Sequence, residues 1–436
     1  MSTHPPELAQ SDIAELHQQI AALLLYQAVL SDPVGQSFLA LLRSLSHADP
    51  IPCLEAYGRW FHALADIGCS WSDHLIQQIL LANNPFSAQA QARPSLPTAL
   101  LSAAEQDLAI LQTLARCNEI QMSQWVQTVC QLEQPPLAWA AERPQTLTFL
   151  HTAQDWPAQL PQLITHYQHA GVGSFAQYRA LRWQGGQLQG IAHPDPIRLE
   201  HLASYTSQKA ILMQNTEFLL AGQPALHVLL YGSRGSGKSS LVKALVNEWY
   251  DRGLRLIEVP RSALVELPQI IDTLRTVPQK FIVFVDDLSF EADDESFKGL
   301  KVVLEGSVTA PAPNVVVYAT SNRRHLIREF FDDRPRPRDT DEIHQWDTVQ
   351  EKLSFSDRFG LTLTFEPANQ DTYLVIVRHL AEQVNLPLDA ETLEFEARQW
   401  AKRHNGRSGR TARQFIDHWQ AQLATPNARK PVDFQS

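Results

Sequence analysis

"HVLLYGSRGSGKSSLVKAL", residues 227–245, runs from an apolar stretch into a glycine-rich loop, then Lys238, Ser239 and Ser240, then a helical pattern. From Gly232 to Ser239 the spacing is G-x-x-x-x-G-K-[ST], a phosphate-binding loop set between a strand and a helix. Gly232, Gly235 and Gly237 let the backbone take positive φ and approach a bulky anion closely. Successive N–H groups along Ser233, Arg234 and Ser236 are then expected to point into one concavity at a helix N-terminus, where negative charge is favoured. Lys238 would reach the β- and γ-phosphates and the Ser239 hydroxyl would sit on Mg²⁺, with Ser240 closing the loop.

Such a loop needs an acidic partner at the end of a buried strand. "FIVFVDDLSFE", residues 281–291, supplies one: five apolar residues precede Asp286 and Asp287. Taken alone, an acid pair at a strand end is a solvated turn. Behind a phosphate loop, Asp286 is expected to hold Mg²⁺ through water, because that ion keeps much of its hydration shell. Asp287 could polarise the attacking water. Glu291, one helical turn further on, could supply a longer reach instead.

The surrounding chain gives the organisation. At 436 residues two or three domains are expected. Short β-rich runs, "HVLLY", "RLIEV", "KFIVFVDD" and "NVVVYATS", alternate with helical segments, the pattern of a parallel sheet with crossover helices. From about Asp12 to Gly171 apolar residues recur at helical spacing, with Asp12 and Glu15 forming a capping-box-like start. "NNPFSAQAQARPSLP" and "QPPLAWAAERPQ" break that period. "ALRWQGGQLQGI" reads as a hairpin, and "AHPDPIRLEHL" as a linker. From Asn369 the chain is helical again. The expected division is a helical N-terminal domain over 1–193, a nucleotide domain over 194–366, a helical lid over 367–425 and a tail over 426–436.

Composition narrows the function. Hydrophobic residues make up 44% and charged ones 19% of the chain, enough apolar content for real cores. A formal charge of −11 argues against a generically basic nucleic-acid binder, although a local basic patch would still be compatible. Cys53, Cys69, Cys117 and Cys130 form no C-x-x-C pair and read as thiols in a reducing compartment. The N-terminus has no basic stretch of a secretory signal, and "IAALLLYQAVL" is about half a bilayer span. A cytoplasmic protein is the expectation. No N-K-x-D guanine motif occurs, which weighs against a GTPase.

The run "YGSRGSGKSS … VFVDDLSFE … VVVYATSNRRHL … SFSDRFGL … SGRTARQFID" resembles AAA+ ATPases, and within them an uncharacterised family of bacterial ATP-binding proteins. It covers roughly Pro194 to Leu423. The resemblance implies an α/β nucleotide-binding domain with a small helical lid, ATP and Mg²⁺ as ligands, and assembly into a homo-oligomeric ring, a hexamer among the options. It also implies roles. Asn322 matches the polar sensor, Arg358 the arginine inserted into a neighbour's site, and Arg410 the second sensor on the lid, with Arg413 as its alternative. A guanidinium suits such a task because it is always charged and spreads hydrogen bonds over phosphoryl oxygens. Adenine should lie between linker and lid, with Leu202 and Tyr205 as apolar walls.

Two departures from the family pattern stand out. Asp287 replaces the commoner Glu and is shorter by about 1.5 Å, enough to slow hydrolysis. A charged insert between Arg323 and Lys352 reads as a solvated loop. Two functions compete: an ATP-hydrolysing machine that remodels a macromolecular client chosen by the helical domain, and a slow ATP-dependent switch or loader.

Overall fold

The computed structural model describes residues 5–47, 49–141, 147–289, 297–305, 310–322, 358–404 and 406–424. The chain divides into two compact units, Met1–Gln177 and Tyr178–Ser436.

The first unit is helical. Its helices include Pro5–Ala21, Pro33–His47, Pro50–Ile67, Trp71–Leu81, Thr98–Arg116 and Glu119–Cys130. Apolar faces at helical spacing converge on Phe38, Trp60 and Trp71, with Phe38 stacked on Trp71 at 4.1 Å between ring centroids. Asp107 is fully buried. Its carboxylate accepts the backbone N–H groups of Leu24, Leu25 and Tyr26 at 2.7–3.1 Å. A carboxylate is tolerated in a core when it is hydrogen-bonded in this way, and here it pins the turn after the first helix.

Two expectations for this unit need correcting. The first helix begins at Pro5, so Asp12 and Glu15 lie inside it and do not cap it; proline suits a first turn, where its missing N–H is not needed. The supposed break after Asn83 contains a helix, Pro85–Ala92, because Asn84 forms a capping box with Ser87 and Pro85 occupies the first turn. All four cysteines are free thiols. Among the described residues no helix is long and apolar enough to cross a membrane.

The second unit is built on a seven-stranded sheet among the described residues, in the order β2-β1-β4-β5-β6-β3-β7. The strands are β1 Ala180–Gln184, β2 Gln187–Gly190, β3 Val228–Gly232, β4 Leu254–Glu258, β5 Lys280–Val285, β6 Val315–Ser321 and β7 Leu361–Phe365. Neighbours are parallel except β1 and β2. In β5, Phe281–Val285 are all buried, as is the whole of β6. Near-continuous apolar runs are what a sheet covered on both faces requires. Four of these strands are legible as β-rich runs; β7 is a fifth whose alternation in "LTLTF" reflects an edge position. The lid follows as three helices, Gln370–Gln383, Ala390–Arg403 and Gly409–Ala424, packed around Tyr373, Phe415 and Ile416.

The boundary between units falls earlier than the expected 193. The hairpin belongs to the nucleotide sheet: β1 lies parallel to β4, pairing Ala180 with Leu256. Arg182 bonds Glu258 at 2.7 Å and the Trp183 indole donates to Glu266 at 2.8 Å. Leu181 and Trp183 are buried, each worth about 1.5–3 kcal/mol relative to exposure. A fragment of residues 194–436 should therefore lose roughly 4 kcal/mol relative to one of residues 178–436 and expose the β4 edge to aggregation. Equal unfolding temperatures for the two fragments would show that the hairpin is dispensable.

Candidate nucleotide site

The loop after β3 is shaped by close approach. A side chain at Gly232, whose φ is +141°, would collide with the Phe365 carbonyl, and Ser233 N–H donates to that same oxygen at 3.0 Å. Glycine here lets β7 run alongside the strand that feeds the loop. At Gly235, φ +74°, a Cβ would lie 2.9 Å from Ser408 Oγ and 3.2 Å from Arg410 Cβ. The loop and the start of the last lid helix thus touch, and Arg410 N–H donates to the Gly235 carbonyl at 3.3 Å.

Lys238 opens the helix Lys238–Trp249. Its ammonium donates to the carbonyls of Gly232 at 3.0 Å and Ser233 at 2.8 Å, and to Asn322 Oδ1 at 3.4 Å. Burial lowers its pKa, while Asp286 and Asp287 act in the opposite sense. The amide of Asn322 faces both ways: its Oδ1 meets the ammonium and its Nδ2 donates to Asp287 Oδ1 at 2.6 Å. Asp287 itself has a left-handed backbone, φ +51°, uncommon for a residue with a side chain. Ser239 Oγ donates to Asp286 Oδ1 at 2.6 Å.

These groups line one cleft of about 700 Å³, within the size range of small-ligand sites. The structure brings onto its walls Arg234 to Ser240, Asp286, Asp287, Asn322, Leu202, Tyr205, Arg410 and Arg413. Gly232 and Ser233 contribute from behind through the carbonyls that hold Lys238. Tyr205 also donates its hydroxyl to the Glu366 carbonyl at 2.6 Å, so it is fixed in place as a wall. Sequence reasoning missed Ile197 before the loop, Thr320 on β6, and Ile376 and Leu380 on the lid, all of which line the cleft. The helical period of "TYLVIVRHL" marks Ile376 and Leu380 as one face but not what that face meets.

Arg358 is not on these walls. It stands three residues before β7, and β7 runs parallel to β3 with Leu361 beside Val228 and Phe365 beside Gly232. The length of β7 alone, about 13 Å at the usual rise per residue, separates Arg358 from the loop end of the sheet. Glu291, the insert 323–352 and the tail lie outside the described residues. A second groove of about 750 Å³ shares Leu202, Ala203, Ser204 and Lys209 with the cleft but carries none of the phosphate-loop residues and neither Asp286 nor Asp287.

The donor set fits a magnesium–nucleotide pair. Mg²⁺ is characteristically held by one or two carboxylates together with substrate phosphates, not by an all-protein cage. One carboxylate, Asp286, and one hydroxyl, Ser239, converge beside the loop. Among the described residues no cluster of three or more His, Cys, Asp or Glu could bind a metal independently. Apolar walls at Ile197, Leu202, Ile376 and Leu380 suit a flat base.

A family model described as "Protein of unknown function (DUF815)" matches residues 176–423. Solved structures of the Thermotoga maritima RuvB Holliday junction branch migration motor are similar at 12% identity, over 51% of this chain and 72% of that one, with a TM-score of 0.32. A proline-to-glycine mutant of Thermotoga maritima RuvB is similar at 15% identity, over 52% of this chain and 67% of that one, with a TM-score of 0.37.

Proposed function

The chain belongs to the DUF815 family and its second unit is an AAA+ P-loop fold, and from that premise we propose that it binds Mg²⁺·ATP and hydrolyses it to drive work on a macromolecular partner. The observation that carries the reading is the convergence of Lys238, Ser239, Asp286, Asp287 and Asn322 on one cleft. Lys238 and the loop N–H groups bind the phosphates. Ser239 and Asp286 hold Mg²⁺, which supplies charge neutralisation at the phosphate oxygens when bound. Asp287 orients the attacking water and takes its proton, Asn322 fixes the direction of that carboxylate, and Arg410 and Arg413 bring the lid onto the phosphates. Leu202, Tyr205 and the lid residues enclose adenine. Arg358 acts on a neighbouring subunit in a ring, and the helical unit selects the client.

A second reading, a slow ATP-dependent switch or loader, draws on the short Asp287 side chain and its 2.6 Å bond to Asn322. Turnover separates the two. ATP turnover per subunit of the full chain, measured against protein concentration with and without nucleic acid, should rise with concentration for the ring machine. Tight ATP binding with negligible turnover at every concentration would favour the switch, and absence of ATP binding would end both readings.

The acid assignment has its own test. Asp287→Asn should keep ATP affinity and lose about 10²–10⁴ in turnover, the worth of a positioned general base. Asp286→Asn should lose Mg²⁺-dependent activity, because an amide is a poor partner for a hard cation. If Glu291→Gln stops hydrolysis while Asp287→Asn does not, the water is polarised from Glu291.

A further inference from the structure

Thr320 sits at the penultimate position of β6, only 2% exposed. Its placement follows from register. β5 and β6 run parallel with Val285 beside Ala319, so the next pair sets Thr320 beside Asp286. A threonine hydroxyl has one proton to give and lone pairs to receive. Here it gives to Asp286 Oδ1 at 2.5 Å and receives from Asp287 N–H at 2.9 Å. The Thr320 carbonyl accepts Leu288 N–H at 2.7 Å. One residue therefore holds three consecutive positions where the chain leaves β5, including the left-handed turn at Asp287.

We infer that Thr320 is a positioning residue for the acid pair: its hydroxyl sets the carboxylate of Asp286 for the metal and holds the backbone of Asp287 in the conformation that brings its carboxylate to Asn322. This rests on the reading of the cleft as a Mg²⁺·nucleotide site. Asp286 Oδ1 takes two hydroxyl donors, from Ser239 and from Thr320. Ser239 lies on the loop side and Thr320 on the sheet side, so the Thr320 bond is the one anchored in the core. Removing it leaves Asp286 tied to the loop alone and the Asp287 N–H without its acceptor.

A buried β-branched residue on a strand also has a plain packing explanation. The two accounts order the variants oppositely. If shape matters, Thr320→Val is harmless and Thr320→Ser, which loses a buried methyl, is the worse. If the hydroxyl matters, Ser substitutes well and Val does not.

The test uses the full chain with ADP and Mn²⁺ as a paramagnetic probe for the metal, bound Mn²⁺ being read by electron paramagnetic resonance. Thr320→Val should weaken ADP-dependent Mn²⁺ binding by about 10- to 100-fold, the usual effect of removing a partner of a metal ligand. Thr320→Ser should stay close to wild type even if its unfolding temperature drops. Should Thr320→Val not fold, Thr320→Cys gives the same comparison, since a thiol is a weak donor on the same skeleton as serine. Unchanged Mn²⁺ binding in the Val or Cys variant overturns the inference while leaving the nucleotide site standing. If wild type itself binds no Mn²⁺ with ADP, the nucleotide reading falls and the positioning role falls with it.

Discussion

Arg358→Ala is expected to cut ATP turnover by about 10³–10⁵, the range that arginine fingers contribute elsewhere, without changing ATP affinity per subunit. The expectation rests on where the strand order places the residue. β7 enters the sheet at the end remote from the loop, Arg358 precedes it, and the cleft that holds Lys238 does not include it. A guanidinium that is to stabilise phosphoryl charge must then do so in another copy of the chain. Two inactive variants should therefore repair one another. Mixing Arg358→Ala with Lys238→Ala should restore part of the activity, because some interfaces pair an intact loop with an intact arginine from the neighbour. Full activity of dilute monomer, or a co-assembled but silent mixture, would reduce Arg358 to a structural residue of the turn before β7.

Lys238→Ala should abolish nucleotide binding at ordinary concentrations while leaving the fold intact. Two charge-assisted hydrogen bonds to phosphate at about 1.5–3 kcal/mol each correspond to roughly 10²–10⁴ in affinity. Stability moves differently. Burial lowers the pKa of this ammonium, which means that the folded protein holds the charged form less comfortably than water does. Deleting the side chain removes that penalty but also takes this donor from the Gly232 and Ser233 carbonyls, so the two effects oppose one another and only a modest change in the melt is expected. Isothermal titration with Mg²⁺·ATP and a thermal melt on the same sample check both halves. Wild-type affinity in the variant would remove the loop from the site; a collapsed melt would mean that Lys238 is a structural strut.

The parts of this site legible in the sequence are those whose chemistry is local. The loop, the acids after β5 and Asn322 after β6 each announce themselves as a polar break at the end of an apolar run, and the structure brings all three to one cleft. Thr320 is hidden because it sits inside such a run, where a β-branched residue is unremarked; only the register of β5 against β6 brings it beside the two acids. Ile376 and Leu380 are hidden by distance along the chain. The hairpin is visible as a hairpin, but the proline-rich stretch after it looks like the domain boundary. Composition marks where a chain is irregular, and it does not say which side of the irregularity a strand will pair with. In the first unit the helical period is clear, while the hold of Asp107 on residues 24–26, some eighty positions away, has no local signal.

The hairpin also decides how the sheet of the second unit responds to a pull on its N-terminal end. Gln177 ends one unit, Tyr178 begins the other, and β1 starts at Ala180. A pull on Tyr178 along the strand axis tugs β1 lengthwise past β4. The slanted bonds of that parallel ladder are loaded together under such a pull, so they yield in concert and not one after another as in a zipper. Beyond β1 the load path continues through β4 and β5 to the strand end that carries Asp286. Within the second unit, a small displacement of β1 is thus passed along the sheet and not taken up as slack.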